Sequence, residues 1–195
     1  KLVAKRGQLM YDAGKDDPGT MFAVIKLDDD KVVDVCNELN QDEKGKIVVP
    51  ANFNSPGQVV VSGSRDYLRE NVGKFKEAGA RIVKELVVSG AFHSPLMKPA
   101  KEELEKAINE TAFSDAVKPV YSNVYAKPLE SAAEIKQALI LQLTSPVKWT
   151  QSMKEMQNNG VDEFVEMGPG KVLQGLISRT LKDVTVSGID KFEDL

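Results

Sequence analysis

The chain has 195 residues, 42% of them apolar and 28% charged, with a formal net charge of −3. That length suffices for one sizeable core, or for one domain with a smaller one inserted, and the balanced charge, with no Lys/Arg block standing clear of Asp/Glu, argues against nucleic acid as the main partner. The single cysteine, Cys36, excludes an internal disulfide framework and fits a reducing compartment. It reads as a core residue on a helix's apolar face. No apolar run reaches the roughly 18–20 residues that span a bilayer, and the opening KLVAKRGQLM has no signal-peptide h-region. The expectation is a cytoplasmic protein with no membrane partner.

Leu2, Val3, Leu9 and Met10 recur at helical spacing with no capping residue before them, so the chain reads as starting inside a helix. From Gly19 the texture changes. TMFAVIKL (20–27) reads as a strand, DDDKVVDVCNEL (28–39) as an Asp-capped amphipathic helix, and KIVVPANF (46–53) with QVVVSG (58–63) as two strands joined by the turn NSPG. Residues 64–79 read as a helix with Ser64 at its N-cap, and RIVKELVV (81–88) as a last strand. The order is β-α-β-β-α-β, the ferredoxin-like arrangement.

Residues 94–110 read as a helix with Ser94 at the N-cap and Pro95 at the first helical position, where a missing N–H costs nothing. KPVYSNV (118–124) reads as a strand, and Ser131 and Glu134 stand in capping-box spacing before a further helix. Residues 146–160 read as a helix stopped by Gly160. VDEFVEM (161–167), the turn GPG, the helix KVLQGLISRTLKD and the strand VTVSGI (184–189) complete the chain. This alternation implies a parallel α/β layer. The fold expected is α/β: residues 18–87 as a small ferredoxin-like unit inserted into a larger domain of residues 1–17 and 88–195.

Four groups carry candidate chemistry. One His and one Cys, far apart, make no zinc site, and DDD (28–30) suits a helix N-terminus as well as a cation, so no metal is expected. GPGK (168–171) between a strand and a helix is shaped like an anion-binding turn, but matches no phosphate-loop pattern and also serves as a tight strand-to-helix turn. His93, the only histidine, is either a structural residue or a general base. Neither the adjacent Ser94 nor Ser62 offers it a nucleophile elbow.

KLVAKRGQLM (1–10), PANFNSPGQVVVSG (50–63), VVSGAFHSPLMKPA (87–100), QLTSPVKWTQS (142–152) and VEMGPGKVLQGL (165–176) together resemble the malonyl-CoA:acyl carrier protein transacylases, along essentially the whole chain. The resemblance implies a partial α/β-hydrolase-like large domain with the ferredoxin-like insertion, and a ping-pong transfer through an acyl-serine. His93 of the FHS segment is then the base, with the backbone carbonyl of Gln142 in place of the usual carboxylate. Arg6 would hold the malonyl carboxylate through its two-donor fork. Met10, one turn on, would line the acyl pocket, and Phe92 would restrict space at the substrate's α-carbon and disfavour branched units. Asn52 and Asn54 match an entrance motif and serve equally as turn-stabilising side chains.

No cofactor is implied beyond malonyl-CoA and the carrier protein's phosphopantetheine. The family's serine elbow, GHSLGE-like, precedes the helix that holds Arg6, so the 195 residues are expected to be inactive alone. The partners expected are malonyl-CoA, an acyl carrier protein and, as one option, the nucleophile-bearing N-terminal segment as a separate chain. The alternatives are the acyltransferase domain of a polyketide synthase and a non-catalytic ferredoxin-like binding module or inactive fragment.

Overall fold

The computed structural model describes residues 1–16, 18–42, 45–191 and 193. Helix α1 (Leu2–Asp16) leads into strand β1 (Gly19–Ile25). The expected domain boundary falls at Asp17, outside the described residues, as do residues 192, 194 and 195 at the end of the large domain. Then come α2 (Asp29–Asp42), β2 (Val48–Ser55), β3 (Gln58–Ser64), α3 (Arg65–Asn71), α4 (Gly73–Glu77) and β4 (Ile82–Glu85).

The four strands form one antiparallel sheet in the order β2-β3-β1-β4. Pro56 and Gly57 turn β2 tightly into β3, with Gly57 at φ +71°, a left-handed position glycine takes without strain. The helical connections are long enough to skip a strand, which places β2 and β4 at the two edges. Alternation along the strands sorts side chains to two faces. Val24, Val59 and Val61 meet Val32, Cys36 and Leu39 of α2 and Phe75 of α4 in one core. Met21, Ala51 and Val60 face the other way, toward Leu86, Val88 and Phe92.

Beyond β4 a 3₁₀ turn (Pro95–Met97) opens α5 (Lys98–Asn109), followed by the short antiparallel pair β5 (Val120–Tyr121) and β6 (Pro128–Leu129). Helix α6 (Ala132–Leu141) runs into a second 3₁₀ turn (Gln142–Thr144). Next are α7 (Trp149–Asn158), β7 (Glu163–Met167), α8 (Val172–Thr180) and β8 (Thr185–Ile189), with β7 and β8 parallel. Met10 and Ala13 of α1 pack with Met97, Leu104, Ile108 and Leu143 in a second core. The edge strand β2 ties the two regions: Val147 N–H donates to Ala51 O at 2.8 Å, and Phe53 N–H to Val147 O at 2.9 Å.

The α/β class is as expected, and several elements differ in detail. The helix expected over 64–79 is two helices meeting at Val72 and Gly73. The strand expected over 81–88 ends at Glu85, because the chain leaves the sheet edge to approach α1, and only two residues of 118–124 pair as a strand. Among the described residues parallel strand pairing is limited to β7 and β8, with one isolated parallel bridge between Asn52 and Val147.

Ser64 occupies the N-cap position of α3, but its hydroxyl accepts Ile47 N–H at 3.2 Å across the sheet and makes no cap bond. The Ser131–Glu134 box is not formed: Ser131 makes no side-chain cap bond, and the Ala132 N–H goes to Asp115 Oδ1 at 2.8 Å. The GPG turn is filled by the protein's own carboxylates. Glu166 accepts the N–H groups of Leu173 and Gln174, each at 3.1 Å, and Asp190 accepts Gly170 N–H at 3.2 Å. Those bonds satisfy the first turn of α8 and leave the tight-turn reading in place of an anion site.

Candidate active site

His93 lies in the segment that leaves β4 and runs against α1 before α5 begins. Its path is set by close backbone approach. A Cβ on Gly14 would stand 2.8 Å from the Ser89 carbonyl carbon and 3.1 Å from Gly90 Cα, so α1 and this segment touch without side chains between them. At His93 itself the backbone turns left-handed, with φ +58°. That region is strained for residues other than glycine, and such strain gathers at functional sites.

The imidazole is half-buried, with Nδ1 3.0 Å from the backbone oxygen of Gln142. A carbonyl only accepts, so Nδ1 carries the hydrogen and Nε2 keeps its lone pair. The side-chain amide of Gln142 stands farther from Nδ1, at 3.5 Å, and itself donates to Ser145 O at 3.4 Å. The shorter backbone contact sets the tautomer. The Gln142 carbonyl can accept the imidazole because α6 ends there and its one backbone bond, from the Ser145 N–H of the 3₁₀ turn, is long at 3.5 Å. Burial holds the imidazole pKa below its ordinary value, and the Arg6 cation acts the same way against the opposing Gln142 and Ser145 carbonyls. A neutral ring with a bare Nε2 is the state a general base needs.

Arg6 projects from α1 and is half-buried, which lowers its own pKa while the guanidinium stays protonated. It makes no ion pair or side-chain hydrogen bond among the described residues. It lines a cavity of about 300 Å³ together with Gln142, Tyr121, Ser122 and Asn123. A second, apolar cavity of about 240 Å³, bordered by Leu104, Phe113 and Leu139, shares Arg6 and Gln142.

The structure thus brings His93, Gln142 and Arg6 together. Met10 and Phe92 lie in the packing beneath them: Met10 is buried with Met97, and Phe92 packs against both that core and the second face of the sheet. Asn52 and Asn54 are half-buried on bulged β2, where Asn52 bridges to Val147. Neither side chain hydrogen-bonds to His93 or Arg6 among the described residues. The Ser145 carbonyl is a partner the sequence reading missed. Its signal was Pro146, which forces the preceding residue extended, and Ser145 has φ −119° and ψ 148°.

A family model described as an acyl transferase domain matches residues 1–192. The chain belongs to that acyl transferase family.

Among relatives of this acyl transferase chain is the malonyl CoA-acyl carrier protein transacylase of Staphylococcus aureus (strain MRSA252). The two are 45% identical over 195 residues, all of this chain and 63% of that protein. The protein of the same description from Haemophilus influenzae is 39% identical over 190 residues, 97% of this chain and 60% of its own length. A crystal structure of an acyl carrier protein S-malonyltransferase from Vibrio cholerae superposes with a TM-score of 0.93 at 41% identity, covering 100% of this chain and 62% of that one. A type II PKS acyl-carrier protein in complex with its malonyl-transacylase gives a TM-score of 0.92 at 36% identity, covering 99% and 62%. The chain therefore spans less than two thirds of the length of these relatives.

No serine, threonine or cysteine side chain hydrogen-bonds to the imidazole among the described residues, and no group of three or more His, Cys, Asp or Glu there could hold a metal ion. No described helix is long and apolar enough to cross a membrane. The site thus holds an imidazole with its Nε2 lone pair free of the Gln142 contact, near an arginine that lines a cavity and has no ion-pair partner among the described residues.

Proposed function

We propose that these residues belong to a transferase that moves a malonyl group from CoA to the phosphopantetheine thiol of an acyl carrier protein, in cytoplasmic fatty acid biosynthesis. The observation that carries the reading is the 3.0 Å contact of His93 Nδ1 with the Gln142 carbonyl, near Arg6, which makes no ion pair among the described residues. A binding module has no use for an imidazole fixed in this way. The relatives named as malonyl transacylases, and the solved complex of one with a carrier protein, support the same substrate and partner.

In the proposed reaction a serine outside these 195 residues attacks the malonyl thioester while His93 Nε2 takes its proton. The tetrahedral intermediate collapses to malonyl-serine, and the proton passes from the imidazolium to the departing CoA sulfur. In the second half His93 takes the proton of the carrier's thiol, whose sulfur attacks the ester. The serine oxygen leaves and recovers a proton from His93. Atoms and charge balance with no metal or further cofactor. The nucleophile's segment is either joined to this chain or held as a separate one.

Arg6 anchors the malonyl carboxylate, Met10 and Phe92 limit the space for the acyl group, and Asn52 and Asn54 stand at the entrance. Gln142 acts through its carbonyl. In fold terms residues 18–87 form a ferredoxin-like unit, supported by the β2-β3-β1-β4 order. Residues 1–17 and 88–195 form part of an α/β-hydrolase-like domain.

The test is acyl selectivity in the protein that carries the serine. A charged hydrogen-bonded contact is worth about 1.5–3 kcal/mol. Arg6→Ala should therefore lower malonyl transfer about 10–100-fold and leave acetyl transfer nearly unchanged. Equal losses for both acyl groups would remove Arg6 from the carboxylate site.

A further inference from the structure

Ser94 follows His93 directly, yet its side chain is fully buried. Its hydroxyl donates to the Ala91 carbonyl at 2.6 Å and accepts the Leu96 N–H at 3.3 Å. The two bonds span His93, one ending before it and one after. We infer that Ser94 is a positioning residue for His93, its hydroxyl tying together the backbone on either side so that the left-handed turn at residue 93 keeps Nδ1–H on the Gln142 carbonyl.

The need for the hydroxyl follows from the chain itself. Ala91 is fully buried and packed against Gly19, so its carbonyl has no access to water and must be paired internally. A helical turn would pair it with the N–H four residues on, but that residue is Pro95, which has none. The Ser94 hydroxyl supplies the missing donor. Accepting the Leu96 N–H, the same hydroxyl also opens the 3₁₀ turn Pro95–Met97, whose Met97 N–H returns to Ser94 O at 3.0 Å. Without the hydroxyl an orphaned carbonyl is left on one side of His93 and a frayed turn on the other. The left-handed φ at residue 93 is then no longer enforced.

The experiment uses the 195-residue chain, in which His93 is the only histidine, so its imidazole nitrogens give one unambiguous set of ¹⁵N resonances. The charged group acting on the ring is Arg6 from α1, which is left intact. In the wild-type chain the neutral ring should be protonated at Nδ1, with a titration midpoint below the ordinary value of about 6.5. In Ser94→Ala the Nε2–H form should appear, because Nδ1–H is no longer held on the Gln142 carbonyl. Ser94→Cys keeps the shape with a weaker donor and should fall between. If Ser94→Ala does not fold, Ser94→Cys decides alone. A folded variant with the wild-type tautomer would overturn the inference.

Its consequence for turnover rests on the transferase reading above. In the serine-bearing protein, Ser94→Ala should lower kcat about 100-fold, as misplacement of a base does, with KM for malonyl-CoA unchanged. Absence of malonyl transfer by the wild type would sink the transferase reading, while the resonance result would still decide the role of Ser94.

Discussion

Glycines at positions 7 and 14 of α1 provide a paired test of how the site is held. They lie two turns apart on one helix, and replacing either with alanine brings the same intrinsic gain, about 1 kcal/mol in a helix interior. What differs is the surroundings. A Cβ at Gly7 would meet nothing within 4 Å, so Gly7→Ala should stabilise by close to the full amount. At Gly14 the added carbon would stand 2.8 Å from the Ser89 carbonyl carbon and 3.1 Å from Gly90 Cα. Both are backbone atoms that cannot rotate away, and overpacking of this kind costs about 1–3 kcal/mol. Gly14→Ala should therefore end about 0–2 kcal/mol below the wild type and about 1–3 kcal/mol below Gly7→Ala. Urea unfolding followed by Trp149 fluorescence and circular dichroism measures both, and each 1 kcal/mol corresponds to about 2–4 °C in Tm for a chain of this size. Because the displaced backbone leads straight to His93, its resonances should also move in Gly14→Ala and stay in Gly7→Ala. Equal stabilisation by the two substitutions would refute the reasoning. It would mean that the helix bearing Arg6 is not in backbone contact with the segment bearing His93.

Three further outcomes follow from single groups. Burial depresses the His93 pKa in the folded state, so between that value and the unfolded one the unfolded chain binds more protons. Stability should thus fall as pH drops below about 6.5 and level off once the folded-state value is passed. His93→Gln should flatten that stretch of the curve, and an unchanged slope would contradict the assignment. Cys36 is 1% exposed, with its thiol pushed up to about 12 by burial, so it should resist Ellman's reagent in the native state and react fully in denaturant. Rapid native labelling would place it elsewhere. Ala126 holds φ +54° in the turn between β5 and β6, and Ala126→Gly should raise stability by about 0.5–1 kcal/mol, read from the urea midpoint. A loss would show that the position is not strained.

Much of the architecture was legible because strong patterns carried it. The valines of β3 alternate between two covered faces, and the Pro56–Gly57 turn fixes the register of the hairpin, so the β-α-β-β-α-β order could be read directly. Caps were read less well. Ser64 and Ser131 stand where capping residues stand, but the bonds come from elsewhere. Ser64 is drawn to Ile47, and Asp115 reaches Ala132 from 17 positions away in the chain. Tertiary contacts of this kind leave no local signal.

The site divides in the same way. Arg6, His93 and Gln142 were reached through resemblance, because spacing alone cannot show that residues 49 positions apart meet. The role of Ser94 was half visible. Its N-cap position was legible, but the bond back to Ala91 depends on the left-handed turn at His93, which sequence does not announce. Likewise Asp190, which accepts the Gly170 N–H, lies 20 positions along the chain, and nothing in sequence shows that the nearby Glu166 turns back onto α8, so the anion-shaped loop could not be told from an anion site.

The most direct test of the account compares His93→Ala with Gln142→Ala for malonyl transfer to the carrier protein, in the polypeptide that bears the serine. In the proposed reaction His93 makes the proton transfers, so its loss should cost about 10²–10⁴-fold in kcat/KM. Gln142 contributes only a backbone carbonyl, which alanine retains, so that variant should stay within a few-fold of wild type. Near-normal transfer by His93→Ala, or a loss in Gln142→Ala as deep as that of His93→Ala, would contradict it.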